Sequence, residues 1–124
     1  MKQEPNEIQV LNQKCETLLK ESDIRFVGVI NNMGRQIAGG YKKTITPLVD
    51  EEDHKISLEH ALEIMLTKDL DDSLGSIDSI VTRRKKVTMI TIPMKNTSVL
   101  ISAEKNSNAP KIIEKTSKIF KMPH

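Results

Sequence analysis

Residues Val87–Ala103 (VTMITIPMKNTSVLISA) contain two apolar runs on either side of the turn Met94–Thr97. In the first run Met89 points to one face of a strand and Ile90 to the other, so both faces carry apolar side chains. Such a strand has to be covered on both sides, because a strand with one face in water alternates between apolar and polar residues. The segment therefore predicts a central β-hairpin in a sheet that has helices on both faces.

A second hairpin is predicted nearer the N-terminus, where strand 1 (Ile24–Ile30) is followed by strand 2 (Gln36–Tyr41). The sequence NNMGR between them supplies Gly34 and two asparagines, which tolerate the positive φ of a tight turn. Alternation along strand 1 predicts one face with Ile24, Phe26 and Ile30 and another with Val27 and Val29. The adjacent Gly39 and Gly40 indicate that strand 2 lies at an edge or approaches another backbone closely.

Three helices and one more strand complete the pattern. The spacing of apolar residues predicts helix 1 at Pro5–Lys20 and helix 2 at about His54–Leu70. A mixed apolar and polar segment, Leu74–Thr82, predicts strand 3. The last helix follows the loop EKNSNAP, in which Asn108 or Ser107 can act as the N-cap.

The order of these elements predicts an α+β fold, α-β-β-α-β-β-β-α, with one five-stranded antiparallel sheet. Short turns pair strand 1 with 2, strand 3 with 4, and strand 4 with 5. Strands 2 and 3 are the least apolar and belong at the edges, which leaves the order 2-1-5-4-3. Helix 2 connects the two edge strands and is predicted alone on one face, with the first and last helices on the other.

Composition and motifs narrow the class of protein. The chain has 124 residues and a net charge of +2, which predicts one domain over residues 1–124 and does not indicate a nucleic-acid partner. No apolar run reaches the roughly 18 residues of a membrane helix, so we expect a cytoplasmic protein without integral membrane association. Cys15 lies on the apolar stripe of helix 1 and is predicted to be a core residue.

Residue patterns that indicate catalysis are missing from the sequence. The spacings of phosphate-binding glycine loops are absent, and no nucleophile, histidine and acid form a recognisable set. His54 and His60 lack partners at metal-ligand spacing and are predicted to lie at solvated positions of helix 2. We therefore predict no enzyme activity and no catalytic, cofactor-binding or metal-binding residues.

Four consecutive cations form the turn between strand 3 and the central hairpin: Arg83, Arg84, Lys85 and Lys86. Such a cluster can contact phosphates or an acidic partner. A turn that is charged only to remain solvated, and to discourage aggregation at the sheet edge, explains the same residues. The sequence leaves both interpretations open.

Two phrases of the sequence carry a resemblance to a known family. The segments VGVINNMGRQIAGG and VLISAEKNSNAPKIIEKTSKIF, together with the order of elements from Pro5 to Phe120, resemble the roadblock/dynein light chain family and its short archaeal and bacterial members. The polar connection Lys42–Asp53 and the sparsely apolar strand 3 match the family less well.

The resemblance implies a non-catalytic homodimeric scaffold or regulatory module. Members of the family join strand 3 edge to edge and pack helix 2 against its mate, and they serve small Ras-like GTPases or larger motor and lysosomal-type complexes. The partners implied are therefore a second copy of this chain and a small GTPase or another protein. The dimer-interface candidates on helix 2 and strand 3 are Leu58, Leu62, Met65, Ile77, Ile80 and Val81.

A small sensor domain similar to PAS or profilin domains is the alternative. Such domains also place helices around a five-stranded antiparallel sheet, but a sensor needs a cavity for its ligand. The sequence offers few aromatic residues to line one, namely Phe26, Tyr41 and Phe120.

Overall fold

A computed structural model describes residues 5–47 and 55–121 of the chain. The helices are α1 (Pro5–Leu19), α2 (Lys55–Leu66), α3 (Asp71–Leu74) and α4 (Ala109–Ile119), and a 3₁₀ turn at Lys68–Leu70 separates α2 from α3. The strands are β1 (Ile24–Asn31), β2 (Gln36–Tyr41), β3 (Ile80–Arg83), β4 (Val87–Pro93) and β5 (Thr97–Glu104). These elements follow the predicted order.

The five strands form one antiparallel sheet in the order β2-β1-β5-β4-β3, which confirms the predicted topology. The central hairpin pairs Ile90 with Ile101, and β5 continues the sheet by pairing Leu100 with Gly28 of β1. Strands β2 and β3 lie at the edges. The β1–β2 turn contains Gly34 at φ 78°, as the prediction of a tight turn requires.

Most of the apolar core lies on the face of the sheet that α1 and α4 cover. Its buried residues come from these two helices and from all strands but β3: Cys15, Leu18, Ile24, Val27, Val29, Ala38, Ile90, Ile92, Val99, Ile101, Ala103, Ala109, Ile112 and Phe120. Cys15 is fully buried, as predicted, and burial raises the pKa of its thiol to about 12. A thiol in this state is protonated and unreactive at neutral pH.

Helix α4 begins where its sequence provides a cap. The side-chain oxygen of Asn108 accepts a hydrogen bond from the Lys111 backbone N–H at 3.1 Å, so Asn108 is the N-cap. Pro110 occupies the first turn, where its missing N–H costs nothing. The buried Thr116 hydroxyl donates to the Ile112 carbonyl oxygen at 2.7 Å. This polar side chain can therefore lie within the apolar core.

The opposite face of the sheet has a much smaller apolar cluster. It consists of Val87, Met89 and Leu100, with Phe26 packed against them. Helix α2 covers this face, where His60 and Ala61 are buried among its described side chains. As predicted, α2 lies alone on its face, and α1 and α4 share the other.

The predicted faces of β1 are wrong at its first residue. Ile24 lies in the main core with Val27 and Val29, not on the face of Phe26 and Ile30. The register between β1 and β5 shifts between Ile24 and Phe26, which inserts an extra residue and reverses the alternation. A pattern of period two cannot reveal such a bulge.

Helix 2 and strand 3 are both shorter than their predicted ranges. The helix is described from Lys55, so its predicted first residue, His54, lies outside the described residues. It ends at Leu66, after which the Thr67 hydroxyl donates to the Glu63 carbonyl oxygen at 2.9 Å.

The predicted first residue of strand 3, Leu74, belongs to α3, which closes at Gly75 with φ 81°. The following Ser and Asp residues favour strands weakly, and pairing in β3 begins at Ile80.

The two neighbouring glycines of β2 differ sharply in what surrounds them. Gly39 has φ 89°, and a Cβ atom there would lie 2.8 Å from the Gly28 Cα and closer still to the Val27 carbonyl oxygen. Gly40 has open space around the position of a Cβ atom. The predicted close approach of backbones is thus confirmed at Gly39 alone.

We expect Gly39→Ala to lower the free energy of unfolding by at least about 2 kcal/mol, because both its φ and its space exclude a side chain. The matched control Gly40→Ala should change that free energy by no more than about 0.5 kcal/mol. Urea unfolding followed by circular dichroism measures both. Equal effects of the two substitutions would contradict the assignment of the close approach to Gly39.

Candidate functional site

Three of the predicted dimer-interface residues form an exposed apolar strip on α2. Leu58, Leu62 and Met65 are between 41% and 54% exposed. They lie three or four residues apart and therefore share one side of the helix. His60 and Ala61 on the inner side hold the helix against the sheet.

The exposed strip is longer than the sequence analysis predicted. Leu66 and Leu74 are each 76% exposed and Leu70 is 46% exposed. Together with Leu58 and Leu62, these leucines recur at every fourth position. The sequence contains this spacing, but the prediction that places Leu74 in strand 3 does not use it. We call Leu58, Leu62, Met65 and Leu66 the α2 apolar face; Leu70 and Leu74 continue it beyond the helix.

The three candidates from strand 3 occupy different positions. Ile77 precedes β3 in the chain and is partly buried. Ile80 pairs with Thr91, so it lies on the same side of the sheet as α2. Val81 pairs with Ile90 on the opposite side and is 41% exposed. Ile80 therefore lies on the same side of the sheet as α2, and Val81 lies on the other side.

A buried polar contact attaches α2 to the middle of the sheet. Nδ1 of His60 forms a short hydrogen bond with Oγ1 of Thr91, which is fully buried on β4. Burial lowers the pKa of His60. The charges of Glu63 and Glu59 oppose that shift, and the charge of Arg84 adds to it. The imidazole is therefore neutral at neutral pH. His60 has a structural role that the sequence, which indicated only a solvated histidine, did not reveal.

The turn that packs beneath α2 also limits where the helix can lie. A Cβ atom on Gly34 would lie 2.6 Å from the Leu58 Cα. The glycine at the β1–β2 turn therefore serves two purposes, because it adopts a positive φ and lets the helix backbone come close. The position of the α2 apolar face depends on this contact.

The four cations of the β3–β4 turn do not all lie at the same site. The Arg84 backbone N–H donates to the Val87 carbonyl oxygen at 2.9 Å and closes the turn. Arg83 and Arg84 line an open cavity together with Lys105, Asn106 and Ser107 from the loop before α4. Lys85 and Lys86 are exposed at the tip of the turn and are not part of that lining.

The described residues contain no arrangement suited to holding a metal ion. Within residues 5–47 and 55–121, no group of three or more His, Cys, Asp and Glu side chains is placed for one. In the same ranges, no helix has the length and apolar character needed to cross a membrane. The prominent features of this part of the chain are an apolar helix face, an open sheet edge and a basic cavity.

Comparisons with known proteins identify a family and a fold. The sequence profile of DUF6659, a family of unknown function, matches residues 4–122. No curated protein matches the chain. Among solved structures, a Roadblock/LC7 domain from Streptomyces avermitilis matches 89% of this chain and 91% of its own length, with 9% identity and a TM-score of 0.69.

Two further structures bear on the choice between the predicted families. A structure of MglB in a tetrameric arrangement matches 96% of this chain and 88% of its own length, with 11% identity and a TM-score of 0.77. A profilin from Schizosaccharomyces pombe matches 87% of this chain and 91% of its own length, with 11% identity and a TM-score of 0.60. The predicted roadblock fold is confirmed, and profilin shares the same general architecture less closely.

The state of His60 leads to a prediction about pH. Its ordinary pKa is 6.5 and burial lowers it in the folded chain. As pH falls through 6.5, His60 therefore binds a proton in the unfolded chain before it does so in the folded chain. The free energy of unfolding decreases as a result. We expect His60→Gln, which can still hydrogen-bond with Thr91 but does not titrate, to lose less stability than the wild type between neutral and mildly acidic pH. Chemical unfolding at each pH measures this difference, and identical pH slopes for the two proteins would contradict the prediction.

Proposed function

Since the chain belongs to the DUF6659 family, whose function is unknown, and has the roadblock fold, we propose that it is a non-catalytic homodimeric scaffold or regulator. In this proposal residues 1–124 form a single roadblock-like domain that works in the cytoplasm. Its partner is a small Ras-like GTPase, as the resemblance to the roadblock family implies. The observation that carries the proposal is the exposed α2 apolar face beside the open edge of β3.

The exposed leucines are the first support for self-association. Monomeric proteins rarely leave a contiguous strip of large apolar side chains in water, and such strips usually mark interaction sites. Complete burial of a leucine or methionine stabilises by about 1.5–3 kcal/mol, so covering side chains that are half exposed gives about 1 kcal/mol each. A symmetric contact counts every such residue twice. This gain opposes the loss of translational and rotational freedom that association costs.

The sheet edge is the second support. Strand β3 ends the sheet, and within residues 5–47 and 55–121 no further strand pairs with its outer row of backbone N–H and C=O groups. Only four residues form this strand, so a β3–β3 contact alone would be short. Because Ile80 lies on the side of α2, pairing across the edge would bring the two α2 apolar faces toward each other. Edge and helix would then form one continuous interface.

Two-fold symmetry fits these two surfaces. In a dimer with a two-fold axis the same patch contributes from both copies, so an antiparallel edge strand can pair with itself. The MglB structure among the matches has a tetrameric arrangement, which shows that a protein with this fold self-associates. We propose self-association of the same kind for this chain, through α2 and β3.

The GTPase partner rests on the family resemblance and on surface that the dimer leaves free. A sheet continuous through β3 would leave β2, at the far edge, outside the dimer interface, with the side chains of Asn12 and Gln36 already bonded to that edge at Gly39. The sensor alternative would require a ligand cavity that reaches the core. Among the described residues, the cavity beside the β3–β4 turn is open to solvent, is lined by cationic and polar residues and lies at the surface. We therefore favour the scaffold over a sensor that holds its ligand inside the core.

We expect the wild-type chain to be a dimer and Leu62→Glu to shift it to a folded monomer, weakening association by more than about tenfold. The matched control is Val10→Glu on α1, because Val10 is 46% exposed and Leu62 is 41% exposed. Light scattering after size exclusion gives the mass, and circular dichroism verifies folding. A second variant, Ile80→Arg, tests the edge strand in the same way.

Two results would overturn the proposed dimer: a monomeric wild-type chain at tens of micromolar, or a dimer that Leu62→Glu and Ile80→Arg leave intact.

The GTPase partner is tested separately, by calorimetry with purified small Ras-like GTPases from the same organism in their GDP and GTP states. Binding that depends on the nucleotide supports a regulator. If the chain dimerises but binds no GTPase, a GTPase is excluded as its partner. The proposal is then reduced to a scaffold for other proteins.

A further inference from the structure

The cavity beside the β3–β4 turn has a volume of about 330 Å³. Two segments that are distant in sequence build it: Arg83 and Arg84 at the end of β3, and Lys105, Asn106 and Ser107 in the loop between β5 and α4. Three of these five side chains are cationic. In the part of the chain that the structure describes, none of the three cations forms a salt bridge. The cavity is therefore a concentration of uncompensated positive charge.

Arg83 is held in place by hydrogen bonds on one side of its guanidinium group. Nη1 donates to Thr88 Oγ1 and to the Ser107 carbonyl oxygen, each at 2.9 Å. A guanidinium group has five N–H donors in a rigid plane, and Nη1 carries only two of them. Among the described residues no acceptor is recorded for the N–H groups on Nε and Nη2. Arg83 thus presents a fixed set of donors with little further loss of side-chain entropy.

The loop on the other side of the cavity is fixed as well. The Thr88 hydroxyl, which accepts from Arg83, donates in turn to the Lys105 carbonyl oxygen at 3.0 Å. The Ser107 backbone N–H donates to the Glu104 carbonyl oxygen at 3.1 Å. The segment from Lys105 to Ser107 is therefore tied to β4 and to the end of β5. Its backbone is positioned before any ligand arrives.

Ser107 supplies an independent observation. This residue is 6% exposed, and within the described ranges its hydroxyl oxygen is buried without a hydrogen-bond partner. A buried hydroxyl normally has a partner, because leaving one unpaired is costly. Ser107 lines the cavity, but its hydroxyl oxygen is closed to solvent, so a ligand can become the missing partner only if this side chain turns toward the cavity. An occupied cavity can supply that partner.

The N-terminus of α4 does not supply these donors. Asn108 already accepts from the Lys111 N–H, and Pro110 in the first turn has no N–H to offer. The binding groups are the side chains of Arg83, Arg84, Lys105 and Ser107. From this arrangement we propose that the cavity is a binding site for the phosphate group of a small phosphate monoester.

The charge and the donor geometry favour phosphate over carboxylate. A phosphate monoester has nearly two negative charges at neutral pH and three strong acceptor oxygens. A carboxylate has one charge and two oxygens, which would leave most of the three cations uncompensated. The volume far exceeds the roughly 30 Å³ that a water molecule occupies, so the organic part of the ester also has room. The fork of Arg83 suits two oxygens of one phosphate group.

The test is a titration of the full-length chain, labelled with ¹⁵N, with inorganic phosphate and separately with glycerol 3-phosphate. Saturable shifts of the Asn106 and Ser107 backbone amides are expected with both. Tighter binding of the ester would show that its organic part is also recognised. Tighter binding of inorganic phosphate would identify the free ion as the ligand. If neither produces a saturable shift, the proposal is wrong.

Arg84→Gln and Lys86→Gln remove the same charge two residues apart, but only Arg84 lines the cavity. We expect Arg84→Gln to weaken phosphate binding by about tenfold or more and Lys86→Gln to weaken it less than about twofold, since only Arg84 can form a charged hydrogen bond with a ligand in the cavity. Equal losses in the two variants would mean general attraction to a basic turn and would overturn the site. The same conclusion follows if acetate at equal ionic strength shifts these amides as strongly as phosphate does.

Ser107→Ala separates binding from folding. Without ligand, removing an unpaired hydroxyl should leave the free energy of unfolding unchanged or raise it. With phosphate present, the same variant should bind several-fold more weakly than the wild type. If it binds phosphate as tightly as the wild type, Ser107 is not a ligand and the site as proposed is wrong. These measurements do not depend on dimerisation, so they stand or fall apart from the proposed scaffold function.

Discussion

The structure depends on a sheet whose central strands are apolar on both faces. Strands β1, β4 and β5 each carry buried side chains toward both layers, and water has to be excluded from both. The hydrophobic effect therefore forces helices onto two sides, and a chain of this length provides only one substantial helix for the second side. The order of strands and the placement of α2 follow from that single requirement.

The two faces are covered unequally, and the difference determines where function can lie. The main core unites residues of α1 and α4 with those of four strands, whereas the described cluster on the other face consists of Val87, Met89 and Leu100 with Phe26. Among its described side chains, α2 buries a histidine and an alanine and leaves its leucines exposed. An apolar helix face directed away from its own sheet is a feature of association. The folding of one chain does not require it.

Fold and site differ in how far they can be read from the sequence. Sheet order could be predicted because turn lengths and two-sided apolar patterns leave one arrangement. Local departures could not: the bulge after Ile24 and the short β3 depend on register, which alternation does not encode. The leucine strip was visible in part, at Leu58 and Leu62. The cavity was visible only as four cations, because Lys105 and Ser107 reach Arg83 through tertiary structure.

The thin attachment of α2 implies a hierarchy of local stability. A segment that contributes few buried side chains can open without the rest of the molecule, and its amide hydrogens then exchange with solvent at a lower energetic cost than those of the central strands. Among the described residues, the contacts broken in such an opening include the His60–Thr91 hydrogen bond, the burial of Ala61 and the close packing of Leu58 against Gly34. Strands β1 and β5, paired on both sides, open only when the whole sheet does. The helix that presents the leucines is thus a cooperative unit of its own, and a second molecule packed against it would slow its exchange.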